Sequence, residues 1–215
     1  MSGRVIDVSP ERLAGWLERF ADGHGALLWE ALSDHLVATA PDGATARCEV
    51  PFPPLAPFPP LAGPADRPAT LVEHALRERR VGVLLVRLGG YAAGVFAGST
   101  LIASKVGSRY VHGRNAAGGQ SQQRFARRRD GQVRVALGEA ADVAVRVLAP
   151  AAATLDAVVL GGDRTAVTTV VADPRLAAVR RLAGPRLLDV PDPRLKVLQQ
   201  TPELFRAVRI TVTDP

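Results

Sequence analysis

Residues 112–129 read HGRNAAGGQSQQRFARRR, and they hold the side chains whose types and spacing are best suited to chemistry in this chain. Gly118 and Gly119 allow positive φ and a close approach of backbone to another molecule. Gln120, Gln122 and Gln123 follow, each with a neutral amide able both to donate and to accept a hydrogen bond. Such an amide, on a loop tip among cations, can orient water and stabilise an oxyanion inside a site built mainly by a partner. No ordinary nucleophile–base pair accompanies it. His112 is the nearby imidazole, and the ordinary role of a strand-end histidine is a structural hydrogen bond. Asp130 is a lone carboxylate, suited to a neighbouring arginine on a helix surface, and a lone carboxylate gives no metal site. The set calls for neither a metal nor an organic cofactor.

The charge around this stretch is concentrated. From Lys105 to Arg134 there are eight basic residues, Lys105, Arg109, Arg114, Arg124, Arg127, Arg128, Arg129 and Arg134, against Asp130 alone, a net of +7. The other 185 residues carry −1, so the whole-chain charge of +6 belongs to one seventh of the sequence. An anionic partner is therefore to be sought there. In a helix, Arg124, Arg127 and Arg128 share a side through i, i+3 and i, i+4 spacing, which suits a phosphate backbone. Helix starts also present free N–H groups to anions, and Ser121 is a reasonable N-cap. The excess of arginine over lysine, whose only members are Lys105 and Lys196, reads as a genomic composition bias.

The remaining sequence supplies the elements that position the loop. A length of 215 residues, 47% hydrophobic and 22% charged, fits one moderate globular domain with a small appendage. The most apolar stretch, from Val81 to Gly98, is cut by Arg87, so no membrane span is expected. Arg4, Asp7, Glu11 and Arg12 stand where an export signal needs an apolar core, and Cys48 has no second cysteine to pair with. The expected location is cytoplasmic.

Ser9-Pro10-Glu11 followed by Leu13, Trp16, Leu17 and Phe20 predicts a helix over 10–22. Apolar runs at 26–32, 35–40 and 44–50, with a Pro41-Asp42-Gly43 turn, complete a helix-plus-hairpin unit whose Trp16 and Trp29 belong to its core. Residues 51–68 repeat PFPPLA in tandem with eight of the 17 prolines. They are expected to form a stiff linker. A short helix over 71–80 should follow. Runs at 81–88, 91–97 and 101–111, separated by Gly89-Gly90 and Gly98-Ser99, predict a three-stranded antiparallel meander. Beyond the loop come a long helix from Ser121, a buried strand at 155–160, a helix at 165–171, and strands at 186–190 and 208–212. This order predicts a mixed α/β domain and is that of an RNase H-like fold.

The loop resembles the GGQ loop of the archaeal and eukaryotic class-1 peptide-chain release factors, whose motif is similar to HGRGGQSALRFARLR. His112-Gly113-Arg114, Gly118-Gly119-Gln120-Ser121, Arg124-Phe125-Ala126-Arg127 and Arg129 match, with Asn115-Ala116-Ala117 inserted. LDAVVLGGD at 155–163 resembles the strand that follows in those factors. As a whole, through SKVGSRYVHGR, SQQRFARRR, GGDRTAV and DVPDPRLKVL, the chain is similar to the actinobacterial VLRF-type release-factor-like proteins, relatives of the Vms/ANKZF factors of ribosome quality control.

That resemblance implies a 69–215 GGQ domain of RNase H-like fold, preceded by a unit over 1–50 and the linker over 51–68. It implies a monomer that binds the large ribosomal subunit and peptidyl-tRNA and hydrolyses the peptidyl-tRNA ester on stalled complexes, independently of a codon. Gly118, Gly119 and Gln120 would act at the ester, with Lys105, Arg109, Arg114, Arg124, Arg127 and Arg128 on RNA. The Ser-Gln context of the Vms-like relatives instead selects Gln122 as the catalytic amide, and Gln123 is the third choice. The alternatives are endonucleolytic cleavage near the tRNA 3′ end and a non-catalytic ribosome- or RNA-binding module.

Overall fold

A computed structural model describes residues 3–55, 66–87, 89–108 and 120–215, without the side chains of 120–129. The chain divides into two units, residues 1–78 with 202–215, and residues 79–201.

In the first unit β1 (Arg4–Val8), β2 (Leu28–Ala31), β3 (His35–Thr39), β4 (Thr45–Glu49) and β10 (Val208–Thr213) form one antiparallel sheet in the order β1-β10-β4-β3-β2. Strands β3, β4 and β10 alternate buried and less buried residues, the pattern of a sheet covered on one face. Leu36, Ala38, Ala46, Cys48, Ile210 and Val212 pack with Leu13, Leu17 and Phe20 of helix α1 (Pro10–His24) and Leu71 and Ala75 of helix α2 (Arg67–Leu76). Trp16 stacks on Phe20 at 5.4 Å between ring centroids, and Trp29 is packed against the same core. Burial pushes the Cys48 thiol up to about 12, so it is an inert core residue.

Two expectations are corrected here. The small unit is a five-stranded sheet, to which β1 and the C-terminal β10 contribute; Arg209 of β10 is paired in register with Asp7 of β1 and forks onto its carboxylate at 3.0 and 3.1 Å. The division also falls elsewhere. Residues 51–55 and α2 belong to the first unit, where Leu55 and Leu71 are core and Phe52 meets Phe205 edge-on at 5.9 Å. The boundary is thus at 78/79 rather than 68/69, and the chain returns to the first unit at 202. The reason is that short strands bury one face only by pairing with neighbours, and here those neighbours include the far end of the chain. The remaining linker residues, 56–65, lie outside the described residues.

The second unit is built on the expected meander, β5 (Arg80–Arg87), β6 (Gly90–Ala97) and β7 (Thr100–Ser108), antiparallel throughout. Strands β8 (Ala157–Gly162) and β9 (Ala183–Leu188) extend it parallel to β5, giving the order β7-β6-β5-β8-β9. Helices α3 (Gln120–Leu148), α4 (Arg164–Val171) and α5 (Ala177–Arg181) supply Ala140, Ala144, Leu148, Val167, Val170 and Val179 to one core with Leu84, Val86 and Val95. On the opposite face Val83, Leu85 and Phe96 are buried, and Leu198 of helix α6 (Leu195–Phe205) lies against Gly94. The strand read at 186–190 is displaced to 183–188. Gly184-Pro185 reads as a breaker, but a proline is tolerated on an edge strand, where its missing N–H breaks no ladder.

Candidate functional site

The sequence loop is mounted between two elements of the second unit, the edge strand β7 and helix α3. Strand β7 ends at Ser108, opposite Gly90 at the start of β6. Helix α3 begins at Gln120, one residue before the expected N-cap. Its 29 residues make a rod about 43 Å long at 1.5 Å per residue. Among the described side chains of α3 the first fully buried one, Ala140, comes about 30 Å along that axis from Gln120.

Tyr91 of β6 links the two mounts. The Tyr91 ring lies across Gly107, where an added Cβ would come within 2.3 Å of Tyr91 Cε2. The Tyr91 hydroxyl donates to Glu139 Oε2 of α3 at 3.2 Å. Close by, Val133, Ala136 and Leu137 of α3 line a small cavity together with Arg87, Gly89 and Gly90 at the β5–β6 turn. The Arg87 guanidinium in turn donates to the Val190 carbonyl. Sequence reasoning missed Tyr91, Gly107 and Glu139 as positioning residues. The available signal was Gly107 itself, since a glycine inside a strand run marks a close approach.

On the far side of β5 the strand-to-helix turn is equally tight. Gly162 has φ 99°, and a Cβ there would stand 2.2 Å from the Val86 carbonyl oxygen. Asp163 then caps α4, its Oδ1 accepting from the Ala166 N–H at 2.8 Å. Arg175 Nη2 bridges Asp142 of α3 at 2.9 Å and Asp173 at 2.7 Å, and that arginine holds the Asp173 carboxyl below the ordinary carboxylate value.

Of the residues singled out by sequence, Lys105 is exposed in the middle of β7. Gln120, Gln122, Arg124, Arg127 and Arg128 all fall within α3. Helical periodicity puts positions 120, 124, 127 and 128 on one side of α3, opposite the line of Val133, Leu137, Ala140 and Ala144 that meets the sheet; position 122 continues that sheet-facing line. Gly118, Gly119, Arg109, Arg114 and His112 lie outside the described residues. Asp130 is exposed.

Among the described residues no group of three His, Cys, Asp or Glu side chains is arranged to hold a metal ion. A groove of about 1060 Å³ in the first unit is lined by Leu17, Ala21, Leu27, Trp29, Val72 and Leu76. Its polar rim includes His74, whose Nε2 is 2.8 Å from the Pro51 carbonyl oxygen. No described helix is long and apolar enough to cross a membrane.

Residues 79–211 match the model of the Actinobacteria/chloroflexi VLRF1 release factor family. The chain belongs to this family. No curated protein matches. Among solved structures it is similar to an archaeal translation termination factor, aRF1, with 15% identity and a TM-score of 0.45 over 92% of this chain and 56% of that one. An archaeal protein is 19% identical with a TM-score of 0.39, covering 76% of this chain and 48% of that chain. The Vms1 mitochondrial localization core is 9% identical with a TM-score of 0.41, covering 89% and 79%. The chain therefore spans little more than half the length of the archaeal termination factor. The family's matched region holds all of β5 to β9 and α3, the elements that carry the loop.

Proposed function

We propose that this VLRF1-family protein releases nascent chains from stalled ribosomal complexes by hydrolysing the peptidyl-tRNA ester, without reading a codon. The single observation that carries this reading is the sequence His112–Arg129, a Gly-Gly-Gln tip followed by arginines, mounted between β7 and a 29-residue helix within a release-factor family match. The order β7-β6-β5-β8-β9, an antiparallel meander extended by two parallel strands, supports an RNase H-like assignment of the second unit. We assign the protein to the cytoplasm, as a monomer that needs no metal or organic cofactor.

In this reading Gly118 and Gly119 bring the backbone up to the ester, and the Gln120 amide holds water against the ester carbonyl. Water adds to that carbon. The tetrahedral oxyanion collapses by breaking the bond to the ribose 3′ oxygen; one proton of the water ends on that leaving oxygen and the other is lost to solvent. The peptide departs with a free carboxylate. Donors fixed before the reaction stabilise the oxyanion most, and holding water in place lowers the entropic part of the barrier. Arg109, Arg114, Arg124, Arg127 and Arg128, with Lys105 on β7, bind RNA phosphates of the large subunit and tRNA.

Position 120 shares its side of α3 with 124, 127 and 128, whereas 122 follows the sheet-facing side, which favours Gln120 over Gln122 and Gln123 as the catalytic amide. Peptide release from peptidyl-tRNA on large subunits tests the assignment. Gln120→Ala is expected to abolish release with subunit binding intact, and Gln122→Ala to retain it. Full release by both variants overturns the proposal.

A further inference from the structure

The opposite edge of the second sheet carries another concentration of cations. Residues 174–188 contain Arg175, Arg180, Arg181 and Arg186 and no acidic residue. The fold sorts them. Arg175 is occupied by Asp142 and Asp173 at 2.9 and 2.7 Å. Leu176 and Val179 are fully buried and fix the orientation of the short α5, which leaves Arg180 and Arg181 exposed with no ion pair to a described residue. Arg186 follows on β9, half-buried, beside the exposed Gly184 and Pro185.

Strand β9 is the edge of the sheet, and Pro185 removes a donor from that edge, so it is poorly suited to adding a strand from a partner. It is better suited to contacts made by side chains. Four inter-strand spacings, about 19 Å, separate β9 from β7, the strand that leads into the Gly-Gly-Gln loop. Two exposed arginines that no described carboxylate pairs with match the charge and donor geometry of phosphate groups.

We infer that Arg180 and Arg181 form a second docking surface for the phosphate backbone of structured RNA, across the sheet from β7. This rests on the ribosome-release reading for the identity of the RNA. It adds an anchor that holds the unit while the loop reaches the ester, so binding is shared between two places on one rigid sheet.

The test uses the full chain and its Arg180→Ala/Arg181→Ala variant, titrated against large ribosomal subunits and against deproteinised ribosomal RNA at several salt concentrations. The variant is expected to bind both about tenfold more weakly, with the log–log salt slope reduced by about 1.5. Arg180→Lys/Arg181→Lys should restore much of the binding. Thermal melting of the variants controls for folding. Unchanged affinity and slope on both probes, with the wild type binding normally, overturn the inference and leave the release reading standing. A loss confined to intact subunits makes an acidic protein the occupant and also overturns it. If the wild type ignores subunits yet the variant loses naked RNA, the surface stands and the release reading fails.

Discussion

Tyr91 crosses Gly107 so closely that a methyl group on the glycine would lie 2.3 Å from the ring. Gly107 is the penultimate residue of β7, and Tyr91 reaches on to Glu139 of α3. One aromatic ring thus ties together the strand that enters the loop and the helix that leaves it. Under the proposed release chemistry such fixed mounts matter, since a displacement of about 1 Å at a reacting group costs about a hundredfold in rate.

Gly107→Ala should therefore act on the mounts. The ring must shift, at a cost of about 1–3 kcal/mol for overpacking. Melting temperature should fall, and peptide release should fall about tenfold or more with subunit binding little changed. Tyr91→Phe keeps the ring and loses one hydrogen bond, a cost of about 1 kcal/mol. Chemical denaturation and the release assay check both variants.

At the β8–α4 turn, Gly162→Ala places a side chain at φ 99° and 2.2 Å from the Val86 carbonyl oxygen. A loss above about 2 kcal/mol is expected, because the backbone of two paired strands has to part. Asp163→Ala removes only the cap bond to Ala166, a loss of about 1 kcal/mol. Equilibrium unfolding in urea ranks the two.

How much of this was legible before the structure depends on how local the signal is. The meander showed itself through Gly89-Gly90 and Gly98-Ser99 between apolar runs, and Asp163 before Arg164-Thr165-Ala166 is a cap that sequence can show. Arg124, Arg127 and Arg128 needed only helical periodicity to share a side. Pairing partners were another matter. Nothing near Val208–Thr213 says that it inserts between β1 and β4, because that register is set by contacts about 160 and 200 residues away in sequence. Arg4–Val8, interrupted by the charged Arg4 and Asp7, does not announce itself as a strand, and it becomes one by pairing with β10. Likewise Tyr91 over Gly107 joins neighbouring strands at a register that only the folded meander fixes.

In the first unit, acid should act through Asp42. Its Oδ2 is 2.7 Å from His24 Nδ1 and its Oδ1 accepts from the Ala44 N–H at 2.9 Å. The hydrogen bond to His24, followed by that to the Ala44 N–H, holds the carboxyl below its ordinary value of 3.8. A carboxyl lowered on folding stabilises the fold above its unfolded value, and that contribution is lost as pH falls through the folded one. The melting temperature of the wild type should therefore drop below about pH 4 more steeply than that of Asp42→Asn. Parallel curves for the two proteins between pH 6 and 3 would remove Asp42 from the account.

Arg124→Ala, Arg127→Ala and Arg128→Ala combined should weaken large-subunit binding and lower the log–log salt slope by about 2 to 3, one phosphate contact per arginine. Release at saturating protein should change far less than binding. Titration across a range of potassium chloride concentrations reads the slope directly.

The products of the reaction record which bond is broken. Purified stalled large subunits carrying peptidyl-tRNA are incubated with the protein, and both products are analysed by mass. Ester hydrolysis predicts a peptide ending in a free carboxylate together with a tRNA that keeps its intact 3′ CCA end, both lost in Gln120→Ala. A peptide still joined to a tRNA fragment, with a shortened tRNA, would contradict it.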